Sequence, residues 1–185
     1  MLKIRELHEV PTLFELASHP EVFPYLRHKA ETLDEFYFLT KQTIEAEEQG
    51  LLISRTILDE FEQPIGTINL FDIHKNSGFL ATWIGQPYFG KGYNKMAKEL
   101  FFDELFFQHG IENIFMKVRK SNLRSLRAVE KLDYVIEGNE LFPDVYEAIN
   151  KEEPIYHLFV ITKEHYASYL QFANQTDETG AEIVS

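Results

Sequence analysis

Apolar positions along this chain switch between a period of two and a period near 3.6, which predicts a mixed α/β order. Leu2 to Leu7 reads as a first strand. Residues 11–18 and 21–28 read as short helices parted by His19-Pro20, because the residue before a proline leaves the helical region. Thr32 to Gln49 reads as a longer helix. Thr32 is an N-cap candidate, Glu35 follows three residues on, and Phe36, Leu39 and Ile44 recur at helical spacing. Residues 51–58 and 64–73 read as strands joined by a turn at 59–64, the second placing Ile65, Thr67, Asn69, Phe71 and Ile73 on one face. After a turn at 74–78, Phe79 to Ile84 is a third apolar run that Gln86-Pro87 ends. Ala97, Leu100, Phe101 and Leu105 then follow at helical spacing. Glu112 to Arg119 reads as a strand with Ile114, Met116 and Val118 inward. Asn122 to Leu132 reads as a helix with an Asn cap and Leu123, Leu126, Val129 and Leu132 inside. Residues 134–137 and 155–162 complete the sheet. The acidic and aromatic segment 138–154 is expected as a loop or short helix over a site, and the chain from 173 to 185 as a frayed polar tail. With no internal repeat, a single domain is expected over residues 1–172.

Two places in this pattern carry chemistry. Phe89-Gly90-Lys91-Gly92-Tyr93-Asn94 lies between an apolar strand and a helix. Glycines there permit positive φ and close backbone approach, so that free N–H groups and a helix N-terminus can face a phosphate. Asn122-Leu-Arg-Ser125 opens the next helix, followed by Glu130-Lys131-Leu132-Asp133-Tyr134.

These residues resemble the GNAT family of acyl-CoA-dependent N-acetyltransferases, and among them the subgroup that acetylates N-terminal amines of proteins, ribosomal proteins included. The resemblance is strongest over residues 64–138. The family's pyrophosphate motif, Gln/Arg-x-x-Gly-x-Gly/Ala, stands here as Phe89 to Asn94, and its Asn-x-x-Ser with Glu-Lys-Leu-Gly-Phe/Tyr stands as 122–125 and 130–134. Asn94 and Asp133 depart from small residues of the pattern, and both types tolerate left-handed backbone. The likeness implies the GNAT fold: a mixed, mostly antiparallel central sheet of six to seven strands flanked by helices and splayed at the strand before the turn. It also implies that Phe89, Gly90, Lys91, Gly92, Tyr93 and Asn94 bind acetyl-CoA, that Trp83 and Ile84 run nearest the thioester, and that Asn122 bonds the pantetheine arm. Ser125 becomes the proton donor to the leaving sulfur, since the Tyr that many members carry seven residues after the Asn is Val129 here. Several relatives place a basic Glu where this chain has Phe79. Asp72, His74, Glu147, Tyr156 and His157 are therefore the alternatives for a base, and Asn69 and Glu147 are candidates for binding the acceptor amine.

Composition narrows the classes. The chain has 185 residues, 44% hydrophobic and 14% aromatic, with 16 Phe and no Cys, which excludes disulfides and thiolate sites. No His spacing suits a metal. A net charge of −12 disfavours nucleic acid as a partner. Yet nine of the 18 Lys and Arg lie in residues 91–131 against five acidic residues, leaving +4 there and −16 elsewhere. That positive segment suits a phosphorylated ligand, or is a set of solvated helix faces. Without a long apolar run, no membrane partner and a cytoplasmic location are expected.

The expected function is acetyl transfer from acetyl-CoA to a primary amine, either a protein N-terminal α-amine or a small amine. Two alternatives stay open, an acyl-CoA-binding module of the same fold and an unrelated phosphate-binding α/β domain. A homodimer is also left open.

Overall fold

A computed structural model describes residues 1–181. Seven strands and six α-helices occur among them. The chain splits into two compact units, the first Met1–Gly110 and the second beginning at Ile111.

In the first unit β1 (Leu2–Ile4), β2 (Ile53–Leu58), β3 (Pro64–His74) and β4 (Ser77–Ile84) pair antiparallel in that order. Leu2 faces Ile57, Ile53 faces Leu70, and Thr67 faces Trp83. Every residue of β2 is buried, as is β3 from Ile65 to Leu70. The one-sided alternation predicted for β3 therefore fails over that stretch. The physical reason is cover on both faces, since a strand buried on both sides loses the in-out alternation. Helices α1 (Val10–Ala17), α2 (Leu33–Glu48) and α3 (Tyr93–Phe107) supply that cover. Helix α1 packs on β3 and α2, and α3 packs on β1, β3 and β4.

Local chemistry explains where the elements stop. Helix α2 starts in the capping box read from the sequence: Glu35 N donates to Thr32 Oγ1 at 3.2 Å and Thr32 N to Glu35 Oε2 at 3.4 Å. The helix predicted over 21–28 shrinks to a 3-10 turn at Phe23–Tyr25, because Pro24 has no N–H to continue a ladder. The first strand ends at Ile4 rather than Leu7, as Leu7–Glu9 turns into a 3-10 segment.

Two buried polar groups tie elements together. Arg55 of β2 donates to Glu47 of α2 at 2.5 Å and forks onto Glu104 of α3 through Nε and Nη2. Glu9 is 2% exposed and accepts from Thr56 Oγ1 at 2.6 Å, with Lys3 Nζ 3.1 Å away. Such charges are tolerated inside because each is paired.

In the second unit β5 (Asn113–Arg119) pairs antiparallel with β7 (Tyr156–Thr162), and β7 pairs antiparallel with β6 (Ile136–Glu137). Helices α4 (Leu123–Val129), α5 (Pro143–Ile149) and α6 (Lys163–Ala181) complete it. Tyr134 is buried, with edge contacts to Tyr166 at 5.2 Å and Tyr169 at 5.0 Å. The predicted inner face of α4 holds only in part: Val129 and Leu132 are buried, while Leu123 is 60% exposed. Residues 173–181, predicted as tail, continue α6, and residues 182–185 lie outside the described residues. No helix among the described residues is long and apolar enough to cross a membrane.

The buried stripe of α3 is Ala97, Lys98, Phe101, Phe102, Leu105 and Phe106. Leu100, predicted inside, is 45% exposed, because it projects from the helix side opposite that stripe. Lys98 is instead 8% exposed among phenylalanines and has no hydrogen bond or ion pair among the described residues. Burial alone lowers its pKa from 10.5 to about 8. The unfolded chain then binds more protons than the native one between pH 8 and 10.5, so native stability rises with pH across that window. Lys98→Met should stabilise the protein by roughly 3 kcal/mol near pH 7. Its advantage should shrink toward pH 10, read by urea denaturation of both proteins at the two pH values. An equal gain at both would show that Lys98 is not buried as a charge.

Candidate active site

Strand β4 delivers the chain to a turn built for positive φ. Gly85 N donates to Ile65 O at 2.8 Å, closing the pairing of Trp83 and Ile84 with β3. A 3-10 segment at Gln86–Tyr88 reverses the chain, and Phe89 is extended. Gly90 then stands at φ +73° and Gly92 at φ +85°, left-handed values that favour glycine. A Cβ added at either would meet no atom within 4 Å. Open space lies where a ligand could approach the main chain.

Gly92 is the N-cap of α3, and no side chain caps the helix there. The first turn of any α-helix leaves N–H groups without helical partners, and its dipole favours an anion. Here Met96 N is the first to bond back, to Gly92 O at 3.1 Å. The amides of Tyr93, Asn94 and Lys95 thus carry the donor capacity of a phosphate cradle.

The surrounding side chains form a small network. Lys91 Nζ sits 5.5 Å from the Tyr88 ring centroid, and Tyr88 meets Tyr93 edge-on at 5.8 Å. The Tyr93 hydroxyl donates to Glu60 in the β2–β3 turn, which pushes the phenol up to about 12. The same bond, then a backbone N–H and last the charge of Lys91, holds the Glu60 carboxyl below its usual range. Thr82 Oγ1 donates to Asn94 Oδ1 at 3.3 Å, pinning the helix start to β4. Asn94 is helical and Asp133 lacks positive φ, so neither uses the left-handed tolerance expected of it. Asp72 at φ +53° and Asn76 at φ +57° use it instead, in the β3–β4 hairpin.

Asn69 was expected near the acceptor, yet its side chain is buried in a ladder inside the sheet. It accepts from Ser54 Oγ at 2.5 Å and donates to Thr67 Oγ1 at 3.2 Å. Asp72 is 60% exposed and accepts from Arg27 Nη2 at 2.7 Å, while His74 is exposed at the hairpin end. Glu6, His8 and Glu9 bring ligand atoms within 4.8 Å of one another. A cation of the chain already serves that cluster, because Lys3 Nζ bridges Glu6 and Glu9.

In the second unit Asn122 caps α4, its Oδ1 accepting from Ser125 N at 3.1 Å. Capping uses the oxygen and leaves the Nδ2 donors without a recorded partner among the described residues. Ser125 is half-buried one turn on, with its hydroxyl likewise uncommitted. Glu147 is exposed on α5. Tyr156 on β7 carries Lys117 at 5.5 Å and Arg119 at 5.9 Å over its ring, and His157 follows it beside Phe159. Glu60, Tyr88 and Thr82 escaped the sequence reading. Their contacts depend on how the turns fold over each other, which no local spacing records.

Against known proteins, the family described as acetyltransferase (GNAT) domain matches residues 2–135. No curated protein matches the chain. Among solved structures, spermidine N-acetyltransferase from Vibrio cholerae in complex with CoA and spermine is similar at 17% identity. That match has a TM-score of 0.72 and covers 90% of this chain and 97% of that one. A nucleotide-linked sugar GNAT, FdhC, is 19% identical at TM-score 0.72, covering 93% and 92%. Ribosomal-protein-S5-alanine acetyltransferase from Vibrio fischeri is 15% identical at TM-score 0.66, covering 88% and 92%.

Glu60 is bonded to Tyr93 at the helix start, and a carboxylate there opposes any incoming phosphate. Glu60→Gln should tighten coenzyme A on the order of two- to threefold at low salt, with the gain lost as salt screens it. Calorimetric titration at two ionic strengths checks this, and weaker binding by the variant would make Glu60 a support of the turn instead.

Proposed function

Because the chain belongs to the GNAT acetyltransferases, we propose that it moves an acetyl group from acetyl-CoA to a primary amine, and that the acceptor is a protein N-terminal α-amine or a small amine. The observation that carries this reading is the uncapped start of α3 behind two left-handed glycines with open space over both. Amides from Gly90 to Asn94 would hold the pyrophosphate, with Lys91 adding charge and Phe89 fixing the entry to the turn. The main chain at Trp83 and Ile84 would run beside the pantetheine arm, and the family pattern gives the Nδ2 donors of Asn122 a hydrogen bond to that arm. When bound, the thioester supplies an acyl group activated toward amines.

The chain's own residues do the rest. A developing oxyanion needs a donor in place before the reaction, which a backbone amide provides without reorganisation. Ser125 would give the departing sulfur a hydrogen bond or a proton. An acyl-CoA-binding module without efficient transfer is the second reading. It is favoured by one observation: β4, SGFLATWI, bears no ionisable side chain that could act as a base.

Gly92→Val should abolish acetyl-CoA binding at a small cost in folding, since the side chain meets open space but penalises φ +85°. Unchanged calorimetric affinity in a folded variant would sink the phosphate assignment. Ser125→Ala should lower kcat by roughly one to two orders of magnitude, about 1.4–2.7 kcal/mol, with acetyl-CoA affinity held. Equal turnover would reduce Ser125 to a helix residue. A thiol-release screen over peptide N-termini, polyamines and aminoglycosides separates enzyme from binding module.

A further inference from the structure

Acetyl transfer to an amine needs a proton acceptor, because an ammonium has no lone pair with which to attack. With β4 bare of ionisable groups, a segment packed beside it in the first unit can supply one. Phe79 of β4 lies across from Phe71 of β3, at the end of the hairpin remote from the phosphate turn. The coil between the 3-10 turn and α2 is fastened onto that same Phe71. Arg27 places its guanidinium 4.5 Å from the ring centroid while bonding Asp72 at 2.7 Å. His28 meets the ring edge-on at 6.0 Å, with an interplanar angle of 71°. Directly after Phe71 the pairing of β3 with β4 slips, and Asp72 turns to φ +53°. Bulges of this kind re-aim side chains at strand ends and recur beside active sites.

We propose that His28, held against Phe71 by the Arg27–Asp72 pair, takes the proton from the acceptor amine through a relay of bound waters along the sheet, since the Phe71–Phe79 pair stands about 13 Å from the Thr67–Trp83 pair. The inference rests on the acetyl-transfer reading above. In the step the amine nitrogen bonds to the acetyl carbon, and the carbon–sulfur bond breaks. The ammonium first gives one proton to the imidazole; after attack the nitrogen gives a second to solvent, while the sulfur takes one from solvent or from Ser125, which solvent then reprotonates, so one net proton is released per transfer. His28 then returns its proton to water, so no further reactant is needed.

The surroundings suit the role. The charged groups acting on His28 are Arg27 from its own segment and Asp72 from β3. Burial, then Arg27, lower its pKa from 6.5, and Asp72 opposes them. His28 is therefore neutral and able to accept at pH 7, while remaining exposed to a substrate. Asp72 is already bonded to Arg27, so the imidazole rather than that carboxylate is placed to act as the base against Phe71.

The test uses purified full-length protein with acetyl-CoA and a peptide bearing a free α-amine, or spermidine. In the parent, kcat/KM should show an ascending limb with an apparent pKa below 6.5, beside the limb set by the acceptor itself. His28→Gln should remove that limb and lower kcat about a hundredfold with the KM for acetyl-CoA unchanged. Imidazole added to His28→Ala should restore part of the rate, which a merely structural histidine would not allow. If the parent transfers acetyl and His28→Gln keeps both rate and pH profile, the assignment of His28 is overturned while the function stands. If the parent binds acetyl-CoA but releases no thiol with any amine, the transfer reading itself fails, and the role of His28 with it.

Discussion

Backbone N–H groups at the start of an α-helix have no partner within the helix, and the working parts of the first unit are arranged around that deficit at α3. Most helices resolve it with a Ser, Thr, Asp or Asn cap, as Thr32 does for α2 and Asn122 for α4. Helix α3 has glycine at its cap and leaves its donors open. Such an end is useful only if it is held still. Phe101, Phe102, Leu105 and Phe106 anchor the helix in the core, each worth about 1.5–3 kcal/mol by burial. Arg55 fixes its far half through Glu104 and ties it to α2 through Glu47. Removing either carboxylate would strand part of a buried guanidinium charge, so this clamp also favours one orientation of α3.

What was legible in the sequence was local. The capping box at Thr32 and Glu35, the Asn122 cap and the glycine turn are signals spanning a few residues, and each stands where its spacing placed it. The strands followed from apolar runs. Features that failed or went unseen depend on contacts between distant residues. Arg55 and Glu104 are 49 residues apart, Arg27 and Asp72 are 45 apart, and Tyr93 and Glu60 are 33 apart. Periodicity could not place Lys98 either, because charge counts it as surface while helix geometry turns it inward. Counted by sequence it belonged to the positive segment, yet its side chain lies inside the protein rather than on the surface.

The same separation explains why a phosphate turn leaves a clearer trace in a sequence than an acceptor site does. A phosphate cradle is made of backbone, and its requirement for positive φ leaves glycines in the sequence. A base or a specificity contact needs only one suitable side chain, brought there by a loop of any composition. His28 and Phe71 carry no mark of their proximity. Asn69, singled out by its place on a strand, is buried and bonded to Ser54 and Thr67, contacts that no local spacing records.

Strand β3 connects these two kinds of site. Its leading end follows the β2–β3 turn, from which Glu60 reaches Tyr93, and its trailing end carries Phe71 and Asp72 against Arg27 and His28. Both ends include non-glycine residues at positive φ, Glu62 at +61° on one side and Asp72, Lys75 and Asn76 on the other. Each such residue costs roughly 1–2 kcal/mol unless contacts offset it. At the leading turn the Asp59 carboxylate does so, accepting from Phe61 N and Gln63 N at 2.9 Å each. At the trailing turn Arg27 holds Asp72 from outside the hairpin. The two offsets differ in consequence. The Asp59 contacts are local and persist whatever the neighbouring loops do. The Arg27 contact makes the shape of the β3–β4 hairpin depend on the segment before α2, so changes in that segment reach the Phe71 end of the strand without disturbing the end beside Glu60 and Tyr93.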